Sequence, residues 1–278
     1  MARRVTRRVP VRRWGVRGVS DALDAVSVEE PLEIRLNGEP MVVTMRTPGD
    51  DIDLVHGLLH AEGIVAAASD VIAAQYCAGS VVSGETGEPE NTYNVLDVTL
   101  PPLRAVLARR RGSLLANSAC GMCGSESIDA VRRQGVFDVA SDAVTVTPEV
   151  LLGLPARLRE AQVGFDRTGG VHAAGLFTAS GEPVVIREDV GRHNAVDKVV
   201  GWAVREGRLP LSEHALQVSG RVSFELVQKA YLAGIPVLSA VSAPSSLAVD
   251  LAGEVGMTLL GFVREGRMTA YSRPDRVA

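Results

Sequence analysis

Between residues 32 and 45, apolar and polar positions alternate on both sides of Asn37-Gly38, a dipeptide suited to the positive φ angles of a tight turn, and the stretch predicts a β-hairpin. Thr47-Pro48-Gly49-Asp50 follows with a hydroxyl cap, a proline at the first helical position and a carboxylate three residues after the cap. Ile52, Val55, Leu58 and Leu59 then recur at helical spacing, and Gly63 closes the helix. Gly79 to Glu90 is rich in Gly, Ser and Glu and reads as a loop. Thr92 to Leu100 reads as a strand, and Leu103 to Arg111, with four arginines, as a short surface helix.

Past Gly112 the pattern changes. Val171 to Phe177 and Val184 to Ile186 are strand-like around a turn at Ser180-Gly181-Glu182-Pro183, and Ala195, Val196, Val199, Val200 and Ala203 mark a helix ending before Gly207. Strand Leu216–Val218, helix Phe224–Leu232, strand Ile235–Val241, helix Leu247–Val255 and strand Met257–Val263 form a β-α-β-α-β series, with a further strand over Met268–Tyr271. Such a series predicts a three-layer α/β domain with a mostly parallel portion. The expected organisation is a flexible basic tail over 1–27, a smaller N-terminal α+β subdomain over 28–112 and an α/β domain over 113–274.

With 278 residues and 46% hydrophobic positions, the chain can bury a substantial core, which excludes a disordered or fibrous protein. No run reaches the roughly 18 apolar residues of a membrane-spanning helix, and the seven arginines before Ser20 lead into no apolar signal segment. The expectation is a cytoplasmic protein with no membrane association. Setting those seven charges aside from the net of −4 leaves about −11 for the remainder, so nucleic acid is not an expected partner of the body. Three cysteines, Cys77, Cys120 and Cys123, do not make a disulfide framework and fit a reducing compartment. Cys77 reads as a small buried hydrophobe.

Candidate chemistry centres on Cys120-Gly121-Met122-Cys123-Gly124. Two thiols three positions apart between glycines can exchange disulfides, ligate a metal or carry sulfur as a persulfide, and the residues alone leave all three open. His56 and His60 lie four apart and read as a partly buried helix face. In open α/β sheets ligands bind beyond the carboxyl ends of the strands, where helix N-termini offer free N–H groups. Ser219-Gly220-Arg221 and Ser242-Ala243-Pro244-Ser245-Ser246 occupy such places. Phe262-Val263-Arg264-Glu265-Gly266-Arg267 ends the last strand of the series with an aromatic and two arginines. Asp189, Arg192, His193, Asn194, Asp197 and Lys198 crowd a strand-to-helix junction, suited to proton handling or phosphate contact.

Taken together, Thr44-Met45-Arg46-Thr47-Pro48-Gly49-Asp50, the Cys120–Gly124 loop, Thr168-Gly169-Gly170-Val171-His172, Glu188-Asp189-Val190-Gly191-Arg192-His193-Asn194, Ser219-Gly220-Arg221-Val222-Ser223-Phe224-Glu225 and Ser242–Ser246 resemble the FdhD family of sulfur carriers required for formate dehydrogenase activity. The resemblance runs from Glu29 to Tyr271. It implies a cytidine-deaminase-like domain that accepts sulfur from a cysteine desulfurase and passes it to molybdenum bis(molybdopterin guanine dinucleotide), destined for the apo formate dehydrogenase. It further implies that Cys120 bears the persulfide, with Cys123 as the second thiol, and that Phe262 to Arg267 bind the cofactor, whose site a guanine nucleotide such as GDP can occupy. Ser219 and Arg221 are placed beside it to meet pyrophosphate. A homodimer with two nucleotide sites suits a cofactor with two nucleotide arms.

Three other readings compete. A zinc-dependent deaminase-like hydrolase could join the cysteine pair to His172, but such an enzyme wants a glutamate two residues later, where Ala174 stands. A dithiol oxidoreductase would use the same pair for disulfide exchange. A passive chaperone would hold the molybdenum cofactor without any thiol chemistry.

Overall fold

A computed structural model of the chain describes residues 5–16, 18–77, 80–82, 89–91, 93–102 and 135–278. Cys120, Cys123, the helix expected over Leu103–Arg111 and the boundary near Gly112 lie outside these described residues.

Where a flexible tail was expected, β1 (Thr6–Gly15) and β2 (Gly18–Ser27) pair antiparallel along their full length. The run of arginines conceals a strand alternation: Val9 and Val11 share a face, and Val19 to Val26 supply the partner strand. Arg12 Nε donates to Asp21 Oδ1 at 2.8 Å, an exposed pair across the ribbon.

The predicted hairpin forms β3 (Glu30–Leu36) and β4 (Glu39–Arg46), with Asn37 and Gly38 at φ 52° and 83°. After α1 (Asp51–Ala61) come β5 (Ala73–Tyr76), the short pair β6 (Ser80–Val82) and β7 (Pro89–Asn91) within the expected loop, and β8 (Val95–Thr99). A four-stranded sheet results in the order β4-β3-β8-β5, with β3 and β8 parallel.

The expected Thr47 cap is not one: α1 starts at Asp51 behind Asp50, which takes φ 52° and makes no side-chain cap. Thr47 is drawn away by the second sheet. Its Oγ1 accepts from Val190 N at 3.0 Å, its N donates to Asp189 Oδ2 at 3.2 Å, and its carbonyl accepts from Lys198 Nζ at 3.0 Å. Cys77, expected to be buried, is half-buried with a free thiol.

Two helices went unpredicted, α2 (Pro148–Glu160) and α3 (Val163–Thr168). Gly153 and Pro155 interrupt α2 in sequence, yet Leu151, Leu154 and Leu158 keep an apolar stripe, and Thr147 Oγ1 caps Val150 N.

The second sheet comprises β9 (His172–Thr178), β10 (Pro183–Asp189), β11 (His214–Val218), β12 (Val237–Ala240), β13 (Thr258–Arg264) and β14 (Arg267–Ser272), in the order β10-β9-β11-β12-β13-β14. The β11-β12-β13 portion is parallel and the remaining pairs are antiparallel. Between these strands run α4 (Arg192–Arg205), α5 (Phe224–Leu232) and α6 (Ser246–Glu254).

Alternation along the strands produces three layers. Ala174, Leu176, Leu216, Val218, Leu238 and Leu259 point to the core shared with α1, α4, α5 and α6, whereas Ala173, Phe177, Ala215, Val237 and Val263 meet Leu151, Leu154 and Leu158 of α2. The N-terminal sheet is fastened to this unit by α1 crossing α4. A Cβ on Gly57 would stand 1.9 Å from the Asp197 carbonyl oxygen, and one on Gly201 1.7 Å from that of Asp53, so only two glycines allow the helices to come this close.

Candidate functional site

Three parallel strands end on one side of the second sheet, and the loops that leave them build a cleft of about 750 Å³. Ser219 follows β11, Val241 follows β12, and Val263, Arg264 and Glu265 close β13. The amino end of the antiparallel β9 adds His172, and Gln162 and Phe165 come from α3 and the residue before it. The volume lies within the range of small-molecule sites, and its place beyond the strand carboxyl ends is where such sheets receive ligands.

At the floor, the Ser219 hydroxyl accepts from Ala173 N at 2.9 Å and lies 3.4 Å from His172 Nδ1. The hydroxyl keeps both a proton and a second lone pair for Nδ1, so the pair can bond with either partner as donor. Burial holds the His172 pKa below its ordinary value, and the positive charges of Arg192 and His193 lower it further against the opposing pull of Asp189. A side chain at position 220 would press on the ring, since a Cβ on Gly220 would be 3.3 Å from His172 Nδ1.

At the rim, a bulge in β13 sets Phe262 at φ 53°, a strained angle for an aromatic residue, and its N donates to the Ser242 carbonyl at 3.2 Å. The bulge buries Val263 completely and brings Arg264 and Glu265 into the cleft wall, with Gly266 at φ 78° turning the chain into β14. The exposed side chains of Arg221, Arg264 and Arg267 make no hydrogen bond or ion pair with a described residue.

Of the predicted site residues, Ser219, Val263, Arg264 and Glu265 line the cleft together. Phe262, Gly266 and Arg267 belong to the same hairpin without lining it, and Arg221 stands exposed two residues beyond Ser219. The two thiols are among the residues not described.

A smaller hollow of about 280 Å³ lies where the N-termini of α4, α5 and α6 meet, lined by Arg192, His193, Ser223, Glu225 and Ser245 among others. His193 Nε2 is 2.9 Å from Glu225 Oε2 and 3.0 Å from Ser223 Oγ. Burial alone would raise the Glu225 carboxyl; the hydrogen bond from His193 and the charges of His193, Lys229 and Arg192 outweigh it and bring its pKa below the usual value. The rest of the crowded junction is structural. Asp189 and Lys198 form a buried pair at 2.8 Å, Asn194 Nδ2 donates to the Met45 carbonyl at 2.8 Å, and Lys229 meets buried Asp197 at 2.6 Å.

His56 and His60 are likewise structural, bonded through Nδ1 to the carbonyls of Ile52 and Val65. Among the described residues no three His, Cys, Asp or Glu side chains gather as a metal-binding group. Nor, among those residues, is any helix long and apolar enough to cross a membrane.

Sequence reasoning missed Gln162 and Phe165, because the helices that place them were not foreseen. The only signal was Thr168-Gly169-Gly170 just beyond, where Gly169 at φ 64° ends α3.

Residues 27–278 match the FdhD/NarQ family. A protein of Nocardia farcinica named sulfur carrier protein FdhD is 55% identical over 277 residues, covering 100% of this chain and 96% of its own length. A Streptomyces coelicolor protein of the same name is also 55% identical over 277 residues, covering 99% and 96%. In fold, the crystal structure of a protein assigned as a formate dehydrogenase accessory protein from Desulfotalea psychrophila aligns with TM-score 0.74 at 22% identity, over 99% of this chain and 100% of that one.

Proposed function

Because the chain belongs to the FdhD/NarQ family, we propose that it is a sulfur carrier serving formate dehydrogenase, working through Cys120 and Cys123, with the 750 Å³ cleft as the cofactor site. The observation that carries this reading is the near-complete coverage of relatives that bear the name sulfur carrier protein FdhD. The six-stranded sheet with helices on both faces is read as a cytidine-deaminase-like core.

The sulfur chemistry closes on this chain's own thiols. The Cys120 thiolate attacks the outer sulfur of a persulfide on a cysteine desulfurase; the donor's S–S bond breaks, its thiolate leaves, and Cys120 holds the sulfane atom. For delivery, the Cys123 thiolate attacks the inner sulfur of Cys120. That step releases hydrosulfide to the molybdenum of bis(molybdopterin guanine dinucleotide) and leaves a Cys120–Cys123 disulfide, so the two thiols supply the two electrons. The metal cofactor is substrate here, passed on to the apo dehydrogenase. Its guanine nucleotide arm, or GDP in its stead, is received by the cleft, with Arg264 toward pyrophosphate and the Ser219–His172 pair as hydrogen-bonding groups. Two such clefts in a homodimer would meet the two arms, in a cytoplasmic setting that keeps the thiols reduced.

Intact mass spectrometry after incubation with a desulfurase and cysteine tests it. The expected result is a gain of one sulfur localised to Cys120, absent in Cys120→Ala; a sulfur-loaded Cys120→Ala protein would overturn the assignment.

A further inference from the structure

At the α2–α3 end of the cleft, a buried amide has no partner in the fold. Gln162 is 4% exposed and lines the cleft. Its backbone is engaged, the N donating to the Arg159 carbonyl at 3.2 Å and the carbonyl accepting from Asp166 N at 3.0 Å. Its side-chain amide makes no hydrogen bond with a described residue. Gln162 stands at the cap position of α3, yet the capping falls to Glu188 on β10, whose carboxylate accepts from Gly164 N at 2.7 Å and Phe165 N at 2.9 Å. The same two bonds tie α3 to the sheet and so fix where the amide sits. An amide buried without a partner is a standing cost to the fold, because its bonds to water are given up and nothing replaces them. A methionine would fill the same space without that cost. The cost has a purpose once something entering the cleft supplies the partners.

The neighbours identify its chemical class. Phe165 lines the same wall, and the Arg159 guanidinium lies over its ring at 4.6 Å from the centroid, itself held by Asp166 at 2.5 Å. Pro155, Ala156 and Leu158 of α2 make the surroundings apolar. A ring stacked with a guanidinium is a platform for a planar heteroaromatic group. An amide presents a donor and an acceptor side by side, which matches a base edge such as O6 and N1–H of guanine. A phosphate, which accepts only, would leave the amide oxygen unmatched, and an aliphatic chain would leave both atoms so.

We propose that Gln162 reads the O6 and N1–H edge of the guanine base and that the stacked Phe165–Arg159 pair supports its ring. The ligand then lies with its base toward α2 and α3 and its phosphates toward Arg264 on β13. This rests on the nucleotide reading of the cleft given above, and adds to it a specificity-determining residue outside the loops that leave the parallel strands.

Calorimetric titration of the full chain with GDP and with 1-methyl-GDP, whose N1 carries a methyl in place of its proton, is the test. The parent should bind GDP at least about tenfold more tightly than the methylated ligand, the worth of an amide's bonds to one base edge. Gln162→Met keeps the length of the side chain and removes both polar atoms. It should weaken GDP binding about tenfold, reduce the preference for GDP over the methylated ligand to about twofold, and hold or raise the urea midpoint, since the buried amide had no partner to lose. Phe165→Ala should weaken both ligands alike, by at least about fivefold, because stacking is indifferent to the edge. A parent indifferent to the methyl group, a Gln162→Met protein that binds GDP as tightly as the parent or unfolds at lower urea, or a Phe165→Ala protein of unchanged affinity would overturn the inference and leave the nucleotide reading in place. A parent that binds no GDP would remove both.

Discussion

Replacing Gly201 with alanine sets a methyl carbon 1.7 Å from the Asp53 carbonyl oxygen, against backbone that no rotamer change can move. An ordinary carbon–oxygen contact needs about 3.4 Å, so α1 and α4 must part by roughly 1.5 Å along their crossing. A gap of 0.5–1 Å already forfeits about a quarter to a half of the dispersion well, and this seam holds Leu54, Val55, Val196 and Val200 at 0–1% exposure. The shift also pulls Asp53 from Arg187 Nη2, now at 2.8 Å, and from Arg205. We expect a loss of about 3–5 kcal/mol, above the usual 1–3 kcal/mol of overpacking because backbone meets backbone. The internal control is Gly153→Ala in α2, where a Cβ meets nothing within 4 Å; there the gain in helix propensity should stabilise by about 0.5–1 kcal/mol. Urea unfolding followed by circular dichroism reads both, through midpoints that move in opposite directions at constant slope. A Gly201→Ala protein within about 1 kcal/mol of the parent would refute the reasoning.

Two further outcomes follow from the site. Burial holds the pKa of both His172 and His56 below 6.5; Arg192 and His193 add to this for His172, and for His56 Arg205 adds while the Ile52 hydrogen bond opposes. The unfolded chain therefore binds more protons below pH 6.5, so stability complete above that pH should fall as pH drops toward the folded-state values; Asp197, whose buried carboxyl is raised, pulls the other way. His172→Gln should consequently flatten the unfolding profile relative to the parent between about pH 7 and pH 5, and identical slopes would contradict the assignment. Arg264→Ala should weaken GDP binding about tenfold by calorimetry, the loss of one charge-assisted hydrogen bond, with a smaller effect for Arg221→Ala outside the cleft lining. Equal effects of the two would remove Arg264 from the site.

Elements whose periodicity agrees with their surroundings were legible in sequence. The helix expected over Phe224–Leu232 is α5, and Asn37-Gly38 does turn β3 into β4. Reading failed where tertiary contacts took over local signals. Thr47-Pro48-Gly49-Asp50 has every mark of a helix start, yet Thr47 spends its polar groups on Asp189, Val190 and Lys198, 142 to 151 positions away. The breakers Gly153 and Pro155 hid α2, whose Leu151, Leu154 and Leu158 bury against the far side of the sheet. In the cleft, Ser219 and Arg264 were readable because strand ends are. Phe165 and Gln162 were not, since only the packing of α2 and α3 brings them beside β13. Beyond its place in the Thr168–His172 motif, His172 was given no role except as a candidate zinc ligand, while the structure sets it beside the Ser219 hydroxyl and lowers its pKa by burial.

The arginines sort by whether their charge is already answered. Arg46, fully buried, meets Asp51 at 3.0 Å; Arg187 and Arg205 converge on Asp53; and Arg276, 3% exposed, donates to the carbonyls of Val139 and Gly256 at 2.6 and 2.7 Å. Removing any of these takes a donor from a buried carboxylate or carbonyl, a loss that falls on folding. Arg221, in the loop after β11, and Arg264 and Arg267, at the turn of the β13–β14 hairpin, instead stand in solvent with no described partner to give up when an anion arrives. In a chain of net charge −4 such unanswered cations do little for the fold, and their cost or benefit appears only when something negative enters the cleft. Stability and binding should thus separate within a single residue type: the first group moves the unfolding midpoint, and the second moves affinity while that midpoint stays where it was.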